Sequence, residues 1–196
     1  MDRPELDGPP NHPKPAPSKP AHPKPSHPKP AHPKPALPFD PIEEAARQWD
    51  RHYPETTRMA AVTALMRVHQ LVLTELDELL RPLGLTFARY EVLALLSFSR
   101  RGALPLGKIG ERLQVHATSV TPLVKRLASA GLIERMEHPD DGRAVLASIT
   151  DAGREVLEQA TQAIVGRQFA ISSLSEEECL QLSHLLRALR RAAGDF

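Results

Sequence analysis

The 196 residues carry 25 Lys and Arg against 24 Asp and Glu, a formal net charge of +1, and they allow one domain of about 150 residues with a real hydrophobic core, plus a tail. A single cysteine, Cys179, excludes an intrachain disulfide and a multi-cysteine zinc site and fits a reducing cytosol. There is no run of about 18 apolar residues and no stretch of signal-peptide type, so a cytoplasmic protein without a membrane partner is expected.

Residues 1–40 read as a separate arm. Of the 20 prolines, 15 fall in the first 41 residues, and 12–36 divide into five pentads: HPKPA, PSKPA, HPKPS, HPKPA, HPKPA. Alternate prolines remove backbone donors and hold a chain near polyproline II, with nothing apolar to bury, so an extended, disordered arm is expected. At about 3.1 Å per residue the pentads span up to roughly 75–80 Å, with lysines about 15 Å apart. Residues 1–38 hold Arg3 and five lysines against Asp2, Glu5 and Asp7, a charge of +3, which leaves the remainder near −2. The arm is therefore a solubilising tail or an electrostatic tether to a polyanion. Its histidines lack the supporting contacts that fix metal ligands, and no metal site is expected. A remainder near −2 has no overall attraction to a polyanion, so any such interface must gather its positive charge on one surface.

Residues 41–196 read as one domain. A short helical segment (IEEAARQWDRHY) runs from Pro41 to Pro54 and carries Trp49. Residues 57–81 give a long amphipathic helix, with Val62, Leu65, Met66, His69, Val72, Leu73, Leu76, Leu79 and Leu80 on one stripe. That stripe is wide enough to bury against more than one neighbour. Gly84 is a stop, and Thr86 reads as the N-cap of a helix through Ser97. After the Arg100-Arg101-Gly102 loop, residues 106–113 form a second short pattern with Leu106, Ile109 and Leu113 on one face. Gln114, Val115 and His116 make a turn of the length that joins the helices of a helix-turn-helix.

Residues 116–130 (HATSVTPLVKRLASA) open with small and hydroxylated side chains, carry Lys125 and Arg126, and contain no acid, a composition suited to phosphate and base edges. Gly131-Leu132-Ile133 ends this helix. Two β-like runs, 132–136 and 144–149, flank a His-Pro-Asp-Asp-Gly-Arg loop and indicate a hairpin, a wing tipped by Arg143. Thr150 caps a helix to about Phe169 with Val156, Leu157, Ala160 and Ile164 on one side. Ser175 to Glu178 is a capping box opening a last helix whose stripe is Leu182, Leu185, Leu186 and Leu189. The expected fold is mainly α with a small β wing: a winged helix-turn-helix lobe at about 86–149, between N-terminal (about 41–81) and C-terminal (about 150–194) helices.

With VHATSVTPLVKRLASAGLIER, then Asp141-Gly142-Arg143, then ITDAGR at 149–154, the chain resembles the MarR family of winged-helix transcriptional regulators over roughly 58–193. The resemblance implies a homodimer whose N- and C-terminal helices interleave, a palindromic double-stranded DNA operator, and a repressor released by a small-molecule effector, with an organic acid as the candidate class. In that reading the helix from about Thr118 enters the major groove N-terminus first. His116 and Thr118 stand at its start, and Ser119 and Thr121 reach base edges or phosphate. Lys125 is assigned to DNA, whereas Arg126, about 100° further round, is either a DNA contact or structural. Arg143 suits the minor groove, and Asp141 orients it, as the family's wing acid and arginine pair. With Thr118 as N-cap, Pro122 would be the fourth helical residue, and the hydroperoxide-sensing branch has a similar T-P-L-x-K-R-L.

The helix before Pro54 with Trp49 is similar to one in the urate-responsive branch, and Glu91 stands where that branch has a pocket aspartate. The positions of its two arginines hold Glu111 and Leu123, so urate itself is not expected. Trp49, His69 and Glu91 are the candidate ligand residues. For Trp49 packing is the competing role, and for His69 it is a buried, hydrogen-bonded place in the core. Cys179 lies in the last helix beside three glutamates, surroundings opposite to those that activate a thiol, and reads as structural. No cofactor is expected. An enzyme is excluded by the lack of G-x-S-x-G, H-E-x-x-H or a phosphate-binding glycine loop. A winged helix used for protein interaction without ligand sensing is the alternative function.

Overall fold

A computed structural model describes residues 37–138 and 141–196, and Pro41–Phe196 forms one compact unit. The pentads of the N-terminal arm lie outside the described residues. Helix α1 (Pro41–Asp50) folds back on α2 (Thr56–Leu80). Their junction is tied by the Trp49 indole donating to the Pro54 carbonyl at 2.8 Å and Thr56 Oγ1 donating to Asp50 at 2.7 Å. The helical pattern anticipated up to Pro54 stops at Asp50 and is closed by a turn in which the amides of His52 and Tyr53 share the Trp49 carbonyl.

Only the C-terminal end of α2 enters the core of this chain: Leu76 and Leu80 are buried, while Val62, Leu65, Met66 and Leu73 are exposed. A turn closed by Gly84, at φ 70°, leads into α3 (Phe87–Ser97). The start of α3 is Thr86, as its sequence suggests, but the capping oxygen is not the threonine's. The Phe87 amide donates instead to Asp77 Oδ1 at 2.7 Å, so α2 caps α3 across the turn.

Strand β1 (Ala103–Pro105) precedes α4 (Leu106–Leu113) and α5 (Ala117–Ser129). Then β2 (Ile133–His138) and β3 (Asp141–Ile149) complete an antiparallel sheet in the order β1-β3-β2. The hairpin is the expected one, with both strands extended toward the loop, β2 by two residues and β3 by three, while β2 begins one residue later than its sequence suggests. Strand β1 was not anticipated: three residues ending in proline carry no local strand signal, and the pairing Ala103 to Ser148 through Pro105 to Leu146 is made with a segment far along the chain.

α5 ends in a tight left-handed turn. Gly131, at φ 71°, donates to the Ala128 carbonyl, and Leu132 donates to Leu127 at 3.0 Å, satisfying two carbonyls that the helix end leaves over. Helix α6 (Asp151–Gly166) is capped by Thr150 Oγ1, which accepts from the Gly153 amide at 3.0 Å. It was expected to reach Phe169 but stops at Gly166, where residues 168–170 take positive φ and break the ladder. Helix α7 (Glu176–Ala192) begins with the expected capping box: Ser175 Oγ accepts from the Glu178 amide while Glu178 accepts from the Ser175 amide.

The core gathers Leu76 and Leu80 of α2, Val92, Leu93 and Leu96 of α3, Ile109 of α4, Val120, Val124 and Leu127 of α5, Ala147 and Ile149 of β3, and Leu157, Ala160 and Ile164 of α6. This core holds α5 against α3 and α4 and joins it to α6. The stripe of α7 is not part of it: Leu185 and Leu189 are more than 60% exposed. Among the described residues no helix is long and apolar enough to cross a membrane.

Candidate nucleic-acid interface

α5 separates into two faces. Val120, Val124 and Leu127, at steps of four and three residues, are buried against the neighbouring helices. Thr118, Ser119, Thr121, Pro122, Lys125 and Arg126 all face solvent. The candidate residues on α5 therefore share one broad exposed surface that contains no carboxylate. Lys125 and Arg126 stand about 100° apart and flank the middle of this face. The positive charge of Arg126 reaches Arg89, in the first turn of α3.

The helix begins earlier than its sequence suggests. His116, not Thr118, is the N-cap: its Nδ1 accepts from the Thr118 amide at 3.3 Å and lies 2.8 Å from Thr118 Oγ1. Accepting from an amide requires that nitrogen to be unprotonated, so the proton of a neutral ring sits on Nε2. Pro122 thus becomes the sixth helical residue rather than the fourth, counting from Ala117. It cannot bond the Thr118 carbonyl, and because both residues lie on the exposed face, water can supply the missing donor.

Arg143 belongs to β3 through its backbone, but its side chain, like that of Asp141, lies outside the described residues. The rest of the hairpin is set by a register running from Ile133 opposite Ile149 to Glu137 opposite Val145, with an irregularity between Glu137 and His138. This places the His138–Asp141 pair at the end of the hairpin remote from α6.

Arg89 was missed by sequence reasoning. It is half-buried, with Nε bonded to Thr86 Oγ1 at 3.2 Å and Nη1 to the Gly84 carbonyl at 2.7 Å. Burial and then the neighbouring charge of Arg126 depress its pKa, while Asp77 opposes them. Only the three-dimensional meeting of α3 with α5 reveals it as part of the cationic surface, because the two arginines are 37 positions apart.

The candidate ligand residues are not drawn together. Trp49 packs on Tyr53, with ring centroids 4.8 Å apart, and spends its N–H on Pro54. His69 is exposed on α2 in this chain, not buried in the core as its place in the stripe suggested. Glu91 is half-buried on α3, and burial raises its carboxyl pKa above the usual range. A cleft of about 440 Å³ instead opens between α3 and α6, lined by Ser97, Arg154, Leu157, Glu158, Thr161, Gln162 and Val165. Thr161 Oγ1 on its wall donates to the Leu157 carbonyl at 2.8 Å and lies 3.3 Å from the Tyr90 hydroxyl of α3.

The model of the MarR family matches residues 85–145, a span from the turn before α3 into β3. The HTH-type transcriptional repressor MdtR of Bacillus subtilis is 34% identical over 133 residues, covering 66% of this chain and 83% of that protein. The structure of Sco5413, a MarR family transcriptional regulator from Streptomyces coelicolor, is 51% identical with a TM-score of 0.67, covering 71% of this chain and 97% of that one. Sco3205 from the same organism, solved in complex with DNA, is 25% identical with a TM-score of 0.63, covering 68% and 88%.

Proposed function

The chain belongs to the MarR family, whose members are transcriptional regulators and not enzymes, and from that premise we propose that it is a homodimeric repressor that reads a palindromic operator with α5 and the β2–β3 wing. The observation that carries this reading is the division of α5. One face is locked into the core, and the other presents Thr118, Ser119, Thr121, Lys125 and Arg126 to solvent with no acid among them. Such a helix brings first-turn amides and hydroxyls to phosphate and base edges, while the lysine and arginine meet the backbone. His116 serves the interface as the cap that starts the helix. Arg143 enters the minor groove at the wing.

Dimerisation supplies the second half-site. The exposed Val62, Leu65, Met66, Leu185 and Leu189 form apolar surface on α2 and α7 that a second copy covers by interleaving the N- and C-terminal helices. Two-fold pairing puts half-site centres about 10 bp apart. The effector occupies the cleft between α3 and α6, where Arg154 offers a cation to an organic acid and Tyr90, Thr161 and Leu157 connect the cleft to the core. Occupation there shifts α6 against the lobe that carries α5, and so changes the spacing of the two recognition helices. Trp49, as in the urate-responsive branch, belongs to the added N-terminal helix and braces its junction with α2. The protein acts in the cytoplasm, and the basic arm adds a sequence-independent hold on the duplex.

The test is a salt titration of operator binding. Lys125→Ala is expected to make the log–log slope shallower by about 0.9, the signature of one lost phosphate contact, and to lower affinity at every salt concentration. A slope and affinity equal to those of the unsubstituted protein would remove α5 from the interface.

A further inference from the structure

A second cleft, of about 310 Å³, lies where the end of α3 and the loop leading to β1 meet the last turn of α4. Three arginines line it: Arg100 and Arg101 from the loop and Arg112 from α4. All three are exposed, and among the described residues none is paired with a carboxylate. Phe98, at 85% exposed the most open large apolar side chain of the described residues, lies on its edge. The cleft is not the α5 surface, and it is separate from the groove that holds Arg154.

A cation at the end of α3 and another at the end of α4 would be explained by the negative poles of those helices. That accounts for one arginine per helix end. It does not account for three converging on one small cleft without an acid between them, in a domain whose charge outside the arm is near −2. Nor does it explain a phenyl ring left in water beside them. The loop itself is held firmly: Ser99 Oγ donates to the Leu96 carbonyl at 2.7 Å, Gly102 donates to Ser99 at 3.1 Å, and Ile149 donates to Gly102 at 2.9 Å. The guanidinium groups therefore project from a braced turn. Planar donors of this kind suit phosphate oxygens, and an exposed aromatic ring suits a flat heterocycle stacked on it.

We propose that the Arg100, Arg101, Arg112 and Phe98 cleft binds a small phosphate-bearing ligand of the mononucleotide class, with the phosphate on the arginines and the planar base against Phe98. The volume lies at the small end of ligand pockets and admits one nucleotide unit rather than an oligomer. Because β1 pairs with β3 and α4 leads into α5, an occupied cleft would bear on both arms of the helix-turn-helix lobe.

The same phosphate chemistry could come from the DNA backbone, and the experiment separates the two sources. Full-length protein is titrated calorimetrically with adenosine 5′-monophosphate, with inorganic phosphate and with adenosine, in the absence of DNA. Binding of the nucleotide, weaker binding of phosphate and none of adenosine are expected. Arg101→Gln with Arg112→Gln should weaken nucleotide binding at least tenfold, and Phe98→Ala should weaken the nucleotide but not inorganic phosphate. Since these side chains are exposed, unchanged melting temperatures should accompany the losses. If none of the three probes binds, or if the double variant binds the nucleotide as the parent does, the proposal is overturned. It is equally overturned if the nucleotide fails to bind while the double variant makes the salt slope of duplex binding shallower by about 0.9 per arginine, which would assign the cleft to DNA. Because nucleotide binding is read without a duplex, its failure leaves the operator reading intact.

Discussion

Substituting Gly153 tests how the wing and α6 are joined. Gly153 is in the first turn of α6, where Thr150 Oγ1 accepts its amide, donates to the Gly131 carbonyl at 2.8 Å, and has its own amide bonded to Leu132 at 3.1 Å. A Cβ at position 153 would lie 2.1 Å from the Leu132 carbonyl oxygen and 2.9 Å from Ile149 Cγ1. Ordinary contact begins near 3.4 Å, so Gly153→Ala forces backbone apart by more than 1 Å at a place where no flexible side chain can yield. Forced overpacking costs about 1–3 kcal/mol. Losing the Thr150 cap adds about 1 kcal/mol. With each kcal/mol worth about 2–4 °C in a chain of this size, the variant should melt roughly 5–15 °C below the parent in a circular dichroism scan. Gly107→Ala is the control: it lies in α4 with nothing within 4 Å of its Cβ and should hold or slightly raise the melting temperature. A Gly153→Ala protein melting within about 2 °C of the parent would refute the close approach of α6 to Leu132.

Two other substitutions probe local physics. Asp77→Ala should cost about 1 kcal/mol, a drop of about 2–4 °C, because Asp77 rather than Thr86 caps α3, and Thr86→Ala should cost less. Equal losses for the two in the same melting assay would return the cap to the threonine. Glu91 is raised by burial, so its native form holds its proton more tightly than the unfolded chain does. Its contribution to stability is present below the unfolded carboxylate pKa and is lost as pH rises through the higher folded one. Glu91→Gln should therefore raise the melting temperature at pH 7 and do little at pH 4. A gain confined to pH 4 would contradict the burial.

Much of the architecture was legible in local pattern. The capping box at Ser175, the Thr150 cap and the Gly84 and Gly131 stops follow from side chains and backbone acting on neighbours a few positions away. What escaped depended on partners distant in sequence. β1 exists because β3 is there to pair with it, and the Asp77 cap is reached across ten residues. His69 lies in a stripe whose upper half finds no core in this chain, so periodicity placed it inside while the fold leaves it exposed. The start of α5 moved for a different reason: imidazole is an uncommon cap, and the hydroxyl of Thr118 was the more familiar candidate. On the exposed surface of α5 the sequence named the side chains, whereas Arg89 required the packing of α3 on α5.

Hydroxyl-radical footprinting of a duplex selected by the full-length protein from a random-sequence pool tests most directly whether two copies of α5 and the wing read DNA together. Two protected tracts on a palindrome, with centres about 10 bp apart, are the expected result. A single tract, or no protection by a folded protein in low salt, would contradict it.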